Sequence, residues 1–192
     1  MEIEKLKIAF NKLSDYIFFD ENQCFREQVS SIQQIKKFIE DTEPMIQFSL
    51  KNDEKYFLYS VLGYAYRVIN QAEQAIFYFQ ECITLTERNP KLKMITLIRL
   101  GEAYKYANLH KEALELFDHA LKLSIEFNMT NYDDFIYQHK GKCLMEMGEI
   151  ELAKKYLNTA LKIRKRKGNI ELIKSTQIVL DYLNNGSVKG KC

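Results

Sequence analysis

Three stretches of the chain share one skeleton. Residues 62–79 (LGYAYRVINQAEQAIFYF), 100–117 (LGEAYKYANLHKEALELF) and 140–157 (KGKCLMEMGEIELAKKYL) each carry a glycine and, two positions on, a small residue. An alanine follows twelve positions after the glycine, and a large apolar residue four beyond that. The glycines Gly63, Gly101 and Gly141 are 38 and 40 residues apart; the alanines are Ala75, Ala113 and Ala153, and the large residues Phe79, Phe117 and Leu157. Another small residue closes each copy, at Cys82, Ala120 and Ala160. Self-similarity at this period marks an array of helical repeats.

The residue types explain what the repeat builds. Leu97, Leu100, Tyr104 and Ala107 follow the three-and-four spacing of one helix face, and so do Ala113, Leu116, Phe117 and Ala120. Small residues let two antiparallel helices approach closely, while the Phe or Leu fills the space between pairs. The segments NQAE, NLHK and GEIE fall between the two helices of each pair, where turn residues belong. With two prolines, seven glycines and no Val/Ile/Thr alternation, the chain reads as all-α. The expected architecture is a right-handed superhelix of antiparallel helix pairs, an α-solenoid. Residues 53–167 hold three pairs, 168–184 a capping helix and 185–192 a mobile polar tail.

The skeleton resembles the tetratricopeptide repeat. Gly63, Tyr66, Ala75 and Phe79 match its pattern with Cys82 in the last slot, and Gly101, Tyr104, Ala113, Phe117 and Ala120 match throughout. The third copy keeps Gly141, Ala153 and Ala160, with Leu144 and Leu157 in place of the aromatics, and the usual closing proline is missing from all three. The long period, and an end such as LKIRKRKGNIELIKSTQIVLDYL, is similar to that of the Gram-positive peptide-pheromone receptors, which include the Rap phosphatases. This chain is much shorter than such receptors, and no DNA-binding helix-turn-helix precedes its repeats. The resemblance therefore implies the scaffold and the habit of binding peptides or proteins, rather than the regulatory activity.

Residues 1–52 lack the skeleton. Ile3, Leu6, Phe10, Leu13 and Ile17 are spaced for one helix face, and Phe25, Val29, Ile32, Ile35 and Ile39 for a second, with DENQ as the turn between. The segment DTEP ends or kinks the second helix. These helices are expected to form either a degenerate repeat or a small bundle.

In arrays of this kind the first helix of each pair faces the concave side. That frame gives nine candidate partner-binding residues: Tyr64 and Arg67; Arg99, Glu102, Lys105 and Tyr106; Gln138, His139 and Lys142. Val68 and Glu146 share the same faces. Aromatic surface and a surplus of bases suit a protein or peptide segment of acidic character, held by charge-assisted hydrogen bonds. The carboxylate clamp of chaperone-binding relatives is not implied, because Ser60 and Tyr64 stand where it needs Lys and Asn.

Other chemistry finds little support. The run KIRKRK (162–167) resembles a nucleic-acid patch but falls at a helix C-terminus, where cations oppose the helix dipole. With a net charge of +2 the chain carries no global commitment to nucleic acid. His110, His119 and His139 show no metal spacing, and Cys24, Cys82, Cys143 and Cys192 form no CxxC pair, so neither metal nor cofactor is expected. Cys82 and Cys143 stand in slots that elsewhere hold Ala and read as small core residues. No apolar run reaches membrane-spanning length, and MEIEKLKIAF is no signal peptide, so a cytoplasmic protein is expected. The leading function is a non-enzymatic, regulatory binding scaffold. The alternatives are an antitoxin, immunity or phage-encoded inhibitor of a partner, or a truncated Rap-like phosphatase drawing on Gln28, Gln33 or Gln34. The end helices can cap a monomer or pair two chains in a homodimer.

Overall fold

A computed structural model of the chain describes residues 3–48 and 50–185. The polar tail expected from residue 185 onward falls, Asn185 excepted, outside the described residues. At the N-terminus the two expected helices are shorter than their apolar spacing suggests. Helix α1 (Ile3–Asn11) runs into a 3-10 turn, and a β-hairpin follows, made of β1 (Ile17–Asp20) and β2 (Arg26–Val29). Helix α2 (Ile32–Thr42) begins only after Ser31, and the helix expected from Phe25 is corrected to a strand over its first turn.

Physical reasons for the hairpin lie partly in the chain and partly beyond it. The Asp20 carboxylate accepts the Asn22 N–H at 2.9 Å, and the Phe25 N–H closes the loop on the Asp20 carbonyl at 2.8 Å. The strands pair antiparallel from Ile17↔Val29 to Asp20↔Arg26. Phe25 and Val29 fit a helix face by spacing, but extended backbone leaves N–H and C=O groups free for the helices opposite. Those tertiary bonds decide the outcome.

The repeats lie where the skeleton places them. Helices α3 (Asn52–Val68) and α4 (Ala72–Thr84) form the first pair, α5 (Pro90–Tyr106) and α6 (His110–Glu126) the second, and α7 (Asp133–Glu146) and α8 (Ile150–Lys167) the third. Helix α9 (Ile170–Asn184) packs on α8. Each helix touches the next, and α5 also touches α3 and α7, so the first helices line one side of the solenoid.

Equivalent residues do equivalent work in all three pairs. Asn70, Asn108 and Gly148 occupy the left-handed region at φ 60°, 61° and 81°, which Asn and Gly tolerate best. Each end closes with the same 2.9 Å bond, Gln71 N–H to Tyr66 O, Leu109 N–H to Tyr104 O and Glu149 N–H to Leu144 O, a Schellman turn that satisfies helix-end carbonyls. Within the pairs, Phe79 packs on Gly63, Phe117 on Gly101 and Leu157 on Gly141. A Cβ on these glycines would come within 2.9, 2.5 and 2.6 Å of the opposing side chain. Phe79, Phe117 and Leu157 are fully buried.

The ends are tied down by polar clamps. Glu43 accepts hydrogen bonds from the stacked tyrosines Tyr66 (2.5 Å) and Tyr78 (2.8 Å), fixing the chain after α2 onto the first pair. At the other end the basic run turns two side chains inward. Arg164 bonds Asp134 Oδ2 at 3.0 Å and Thr176 Oγ1 at 2.7 Å, and Lys167 bonds the same Asp134. These cations join α7, α8 and α9. Cys82 and Cys143 sit buried in the small-residue slots, their thiols pushed up to about 12 chiefly by burial.

Two stability predictions follow from these contacts. Gly101→Ala should cost about 1–3 kcal/mol in urea unfolding, because the Phe117 ring has nowhere to move. The cost should shrink in a Phe117→Leu background, and an undiminished cost would show that the ring contact is not its source. Asp134→Ala should cost about 3–5 kcal/mol by leaving the Arg164 charge buried without its partner; a change below about 1 kcal/mol would disprove the clamp.

Candidate functional site

The nine candidate residues converge. Tyr64, Arg67, Arg99, Glu102, Lys105, Tyr106, Gln138, His139 and Lys142 all line one cavity of about 830 Å³. Leu172, Ser175 and Ile178 of α9 close its far side, and Phe18, Phe19, Phe25 and Glu27 of the hairpin lie over it. The groove read from the sequence as an open helix face is therefore roofed by the chain itself. Lys105 and Arg67 retain only 1% and 3% of their exposure, and Gln138 and Lys142 are also buried.

Hairpin and helices meet through charge. The Arg26 guanidinium forms a fork on Glu146, Nε to Oε1 at 3.1 Å and Nη2 to Oε2 at 2.6 Å. It also donates to the Lys105 carbonyl at 3.0 Å and to Asn108 Oδ1 at 2.9 Å, satisfying the C-terminus of α5 where a cation is favoured. Its face lies 5.1 Å from the Tyr106 ring centre. Next along the strand, the Glu27 carboxylate accepts from Arg67 and, at 3.2 Å, from the Tyr64 hydroxyl. The hairpin backbone is bonded too: the Glu27 N–H donates to Tyr106 Oη at 2.6 Å, and Lys142 Nζ donates to the Phe25 carbonyl at 3.0 Å. Phe25 itself reaches α9, edge-on to Tyr182 at 5.3 Å between ring centres.

These charges are buried, so each depends on its neighbours. Burial works against the Glu146 carboxylate, but Lys105, His110 and Arg26 outweigh it and hold its pKa at about 2. Burial likewise opposes Glu102, whose pKa still lies well below the usual carboxylate range because Arg67 and His139 flank it. Its Oε1 is 3.7 Å from Arg67 Nη1 and 3.1 Å from His139 Nδ1. Lys142 behaves oppositely: burial, with the charge of Lys105 adding to it, pushes the ammonium down to about 7. Among the described residues no carboxylate lies within ion-pair distance of Lys142 or Arg99. Arg99 bonds the Ser60 hydroxyl, and Gln138 Oε1 is buried with no hydrogen-bond partner.

Arg26 and Glu27 are not among the residues that the repeat frame singles out. The spacing of Phe25, Val29 and Ile32 places them within a helix, and only the serines at 30 and 31, a helix-start signal, speak for a later beginning. The glutamines considered for phosphatase chemistry are not brought together on one helix: Gln28 pairs with Phe18 inside the hairpin, and Gln33 and Gln34 lie exposed on α2. Among the described residues no three His, Cys, Asp or Glu side chains converge as metal ligands, and no helix is long and apolar enough to cross a membrane.

Acid should weaken this site from a known side. The folded pKa of Glu146 lies below its ordinary value of 4.5, so its contribution is present above that pH and is lost as pH falls toward 2. The difference corresponds to about 3 kcal/mol. Glu146→Gln should therefore be less stable than wild type at pH 7 and show a shallower loss of stability between pH 5 and pH 2 in urea titrations. A wild-type slope in the variant would remove Glu146 from the acid response.

Comparison with known proteins agrees with this geometry. The tetratricopeptide repeat family matches residues 58–89 and 136–167, which fall on the first and third helix pairs. No curated protein sequence matches the chain. Among solved structures, the apo form of RapI superposes with a TM-score of 0.68 at 16% identity, over 95% of this chain and 64% of RapI. Aspartyl phosphate phosphatase F from Bacillus subtilis gives 0.65 at 18%, over 97% of this chain and 47% of that protein. The chain thus spans less than two thirds of either protein. PcrH in complex with the chaperone binding region of PopB gives 0.54 at 17%, over 69% of this chain and 98% of PcrH. At these identities the likeness is one of fold. Two of the three helix pairs thus match the tetratricopeptide repeat, and the helical solenoid shares its fold with RapI and aspartyl phosphate phosphatase F.

Proposed function

We propose that the chain is a non-enzymatic regulatory adaptor that takes a peptide or a segment of a partner protein into its concave cavity. One observation carries this reading: residues from three successive repeats surround a single cavity, among them Arg99, which meets no carboxylate among the described residues. Among the described residues Gln138 Oε1 is buried without a hydrogen-bond partner, and Arg67 Nη1 has only its ion pair with Glu102 at 3.7 Å. Charge-assisted hydrogen bonds from Arg99 to a ligand carboxylate would add to its apolar contacts. Ile95, Ile98 and Phe135 offer those contacts on the helix side.

The acidic character proposed for the partner rests on Arg99 and Lys142. Arg67 and Lys105 already face Glu27, Glu102 and Glu146, which leaves Arg99 as the cation for a carboxylate from outside, while Lys142, its pKa lowered to about 7, would gain full charge beside such a carboxylate. The PcrH complex, in which a protein of similar fold binds the chaperone binding region of PopB, supports binding of a segment of a partner protein. A cytoplasmic location belongs to the same reading, supported by the buried, unpaired thiols of Cys24, Cys82 and Cys143.

The test is affinity capture from the source cells by the tagged full chain, with Arg99→Ala/Gln138→Ala as the comparison. Both substitutions face the cavity and avoid the hairpin contacts. The proposal expects a protein or peptide retained by wild type and reduced at least tenfold on the variant, with circular dichroism unchanged. Equal retention on both would move binding off the cavity.

A further inference from the structure

We infer that the β-hairpin is a built-in occupant of the concave groove, and that the partner carries an extended aromatic–Arg–Glu segment which takes its place. The inference rests on the proposed function, because it names the chemistry of what that groove accepts.

The manner of contact distinguishes an occupant from ordinary core. Helix side chains read the hairpin as a groove reads a peptide, through its backbone and its charged groups in alternation. Lys142 takes the Phe25 carbonyl and Tyr106 the Glu27 N–H, while Glu146 takes the Arg26 side chain and Arg67 the Glu27 side chain. Main-chain bonds give affinity in this mode and side-chain pockets give specificity. All three repeats and α9 contribute to the binding of three consecutive hairpin residues, with Phe25 as the apolar anchor against Tyr182.

Holding those residues in place carries conformational cost. Cys24 and Phe25 both sit in the left-handed region, at φ 56° and 55°, which is rare for any side chain and an outlier for a bulky one. Backbone strain of this kind persists only where surrounding contacts impose it. The hairpin has four residues in each strand and, among the described residues, no third strand, so it has little stability of its own. Phe18 and Phe19 remain about half exposed on it. A segment without the strained turn can make the same Phe, Arg and Glu contacts with less internal cost.

Tethering sets the threshold for exchange. A hairpin joined to the groove acts as an occupant at an effective concentration on the order of millimolar. A free segment must bind the open groove well below that value to displace it, so weak or mismatched segments are excluded.

The experiment uses the full chain and a fluorescein-labelled synthetic peptide of residues 20–29, DENQCFREQV. Fluorescence anisotropy should show the peptide binding at least tenfold more tightly to the variant Arg26→Ala/Glu27→Ala, whose hairpin has lost its anchors, than to wild type. Adding Glu146→Ala and Arg67→Ala to the variant, or replacing Arg and Glu in the peptide by Ala, should weaken binding at least tenfold. Equal affinity for wild type and variant, or no binding to a folded variant, would overturn the inference. Amide hydrogen exchange on the wild type decides the case in which the variant does not fold. Protection at Phe25 and Glu27 should be at least tenfold lower than in the middle of α5 and α7, and equal protection would make the hairpin a permanent part of the fold. Capture of a partner by a wild-type chain whose hairpin stays protected would sink this inference and leave the proposed function standing.

Discussion

A ring resting on a glycine holds this molecule together. Neither helix of a pair can bury its apolar stripe alone, and the two can meet closely only where one side contributes no side chain. Gly63, Gly101 and Gly141 provide that gap, and Phe79, Phe117 and Leu157 fill it. Because the contact recurs, the pairs repeat the same turn, the same capping bond and the same packing face. The relative placement of the first helices follows from it, and with it the shape of the concave side.

Once α3, α5 and α7 lie side by side, their inner faces bring charges out of water. Arg67, Lys105, Glu102 and Glu146 would be costly there if left alone. Ion pairs among the helices offset part of the cost: Lys105 meets Glu146 at 3.4 Å, and Arg67 faces Glu102. The remainder falls to groups from elsewhere, and Arg26 and Glu27 supply opposite charges in the order the groove requires. The helix array and the hairpin thus depend on each other electrostatically, and through apolar contact as well, Ile17 and Val29 packing against the core of the first pair. Only Cys24 and Phe25 of the hairpin join the core of the last repeat.

What the sequence disclosed and what it hid divide along this line. The repeat skeleton is written in small and large residues at fixed spacing, a local signal, and the helix pairs, the turn asparagines and the inward-facing residues were legible from it. So was the placing of Cys82 and Cys143 in the core. The hairpin was not. Ile17, Phe25, Val29 and Ile32 satisfy helical spacing, and nothing local reveals that Tyr106, some eighty residues away, will bond the Glu27 N–H. The Arg26–Glu146 fork spans 120 residues and has no sequence signature at all. Arg164 and Lys167 were hidden differently, in a basic run whose inward-turning members are set by Asp134 on another helix.

The division also separates what can move from what cannot. Apolar clusters run from α3 through α9 by way of Leu100, Phe117, Ile136 and Leu157, without needing the hairpin between them. Opening the groove would expose Cys24, Phe25 and the packed faces of Ile17 and Val29, and break hydrogen bonds and ion pairs, most of which water or a ligand can replace. Opening a helix pair would break the close packing of Phe79, Phe117 or Leu157 on its glycine, which nothing in solution can replace. A polar latch over an apolar frame sets these two free energies far apart. That difference is what allows one surface to exchange its occupant while the solenoid beneath keeps its form.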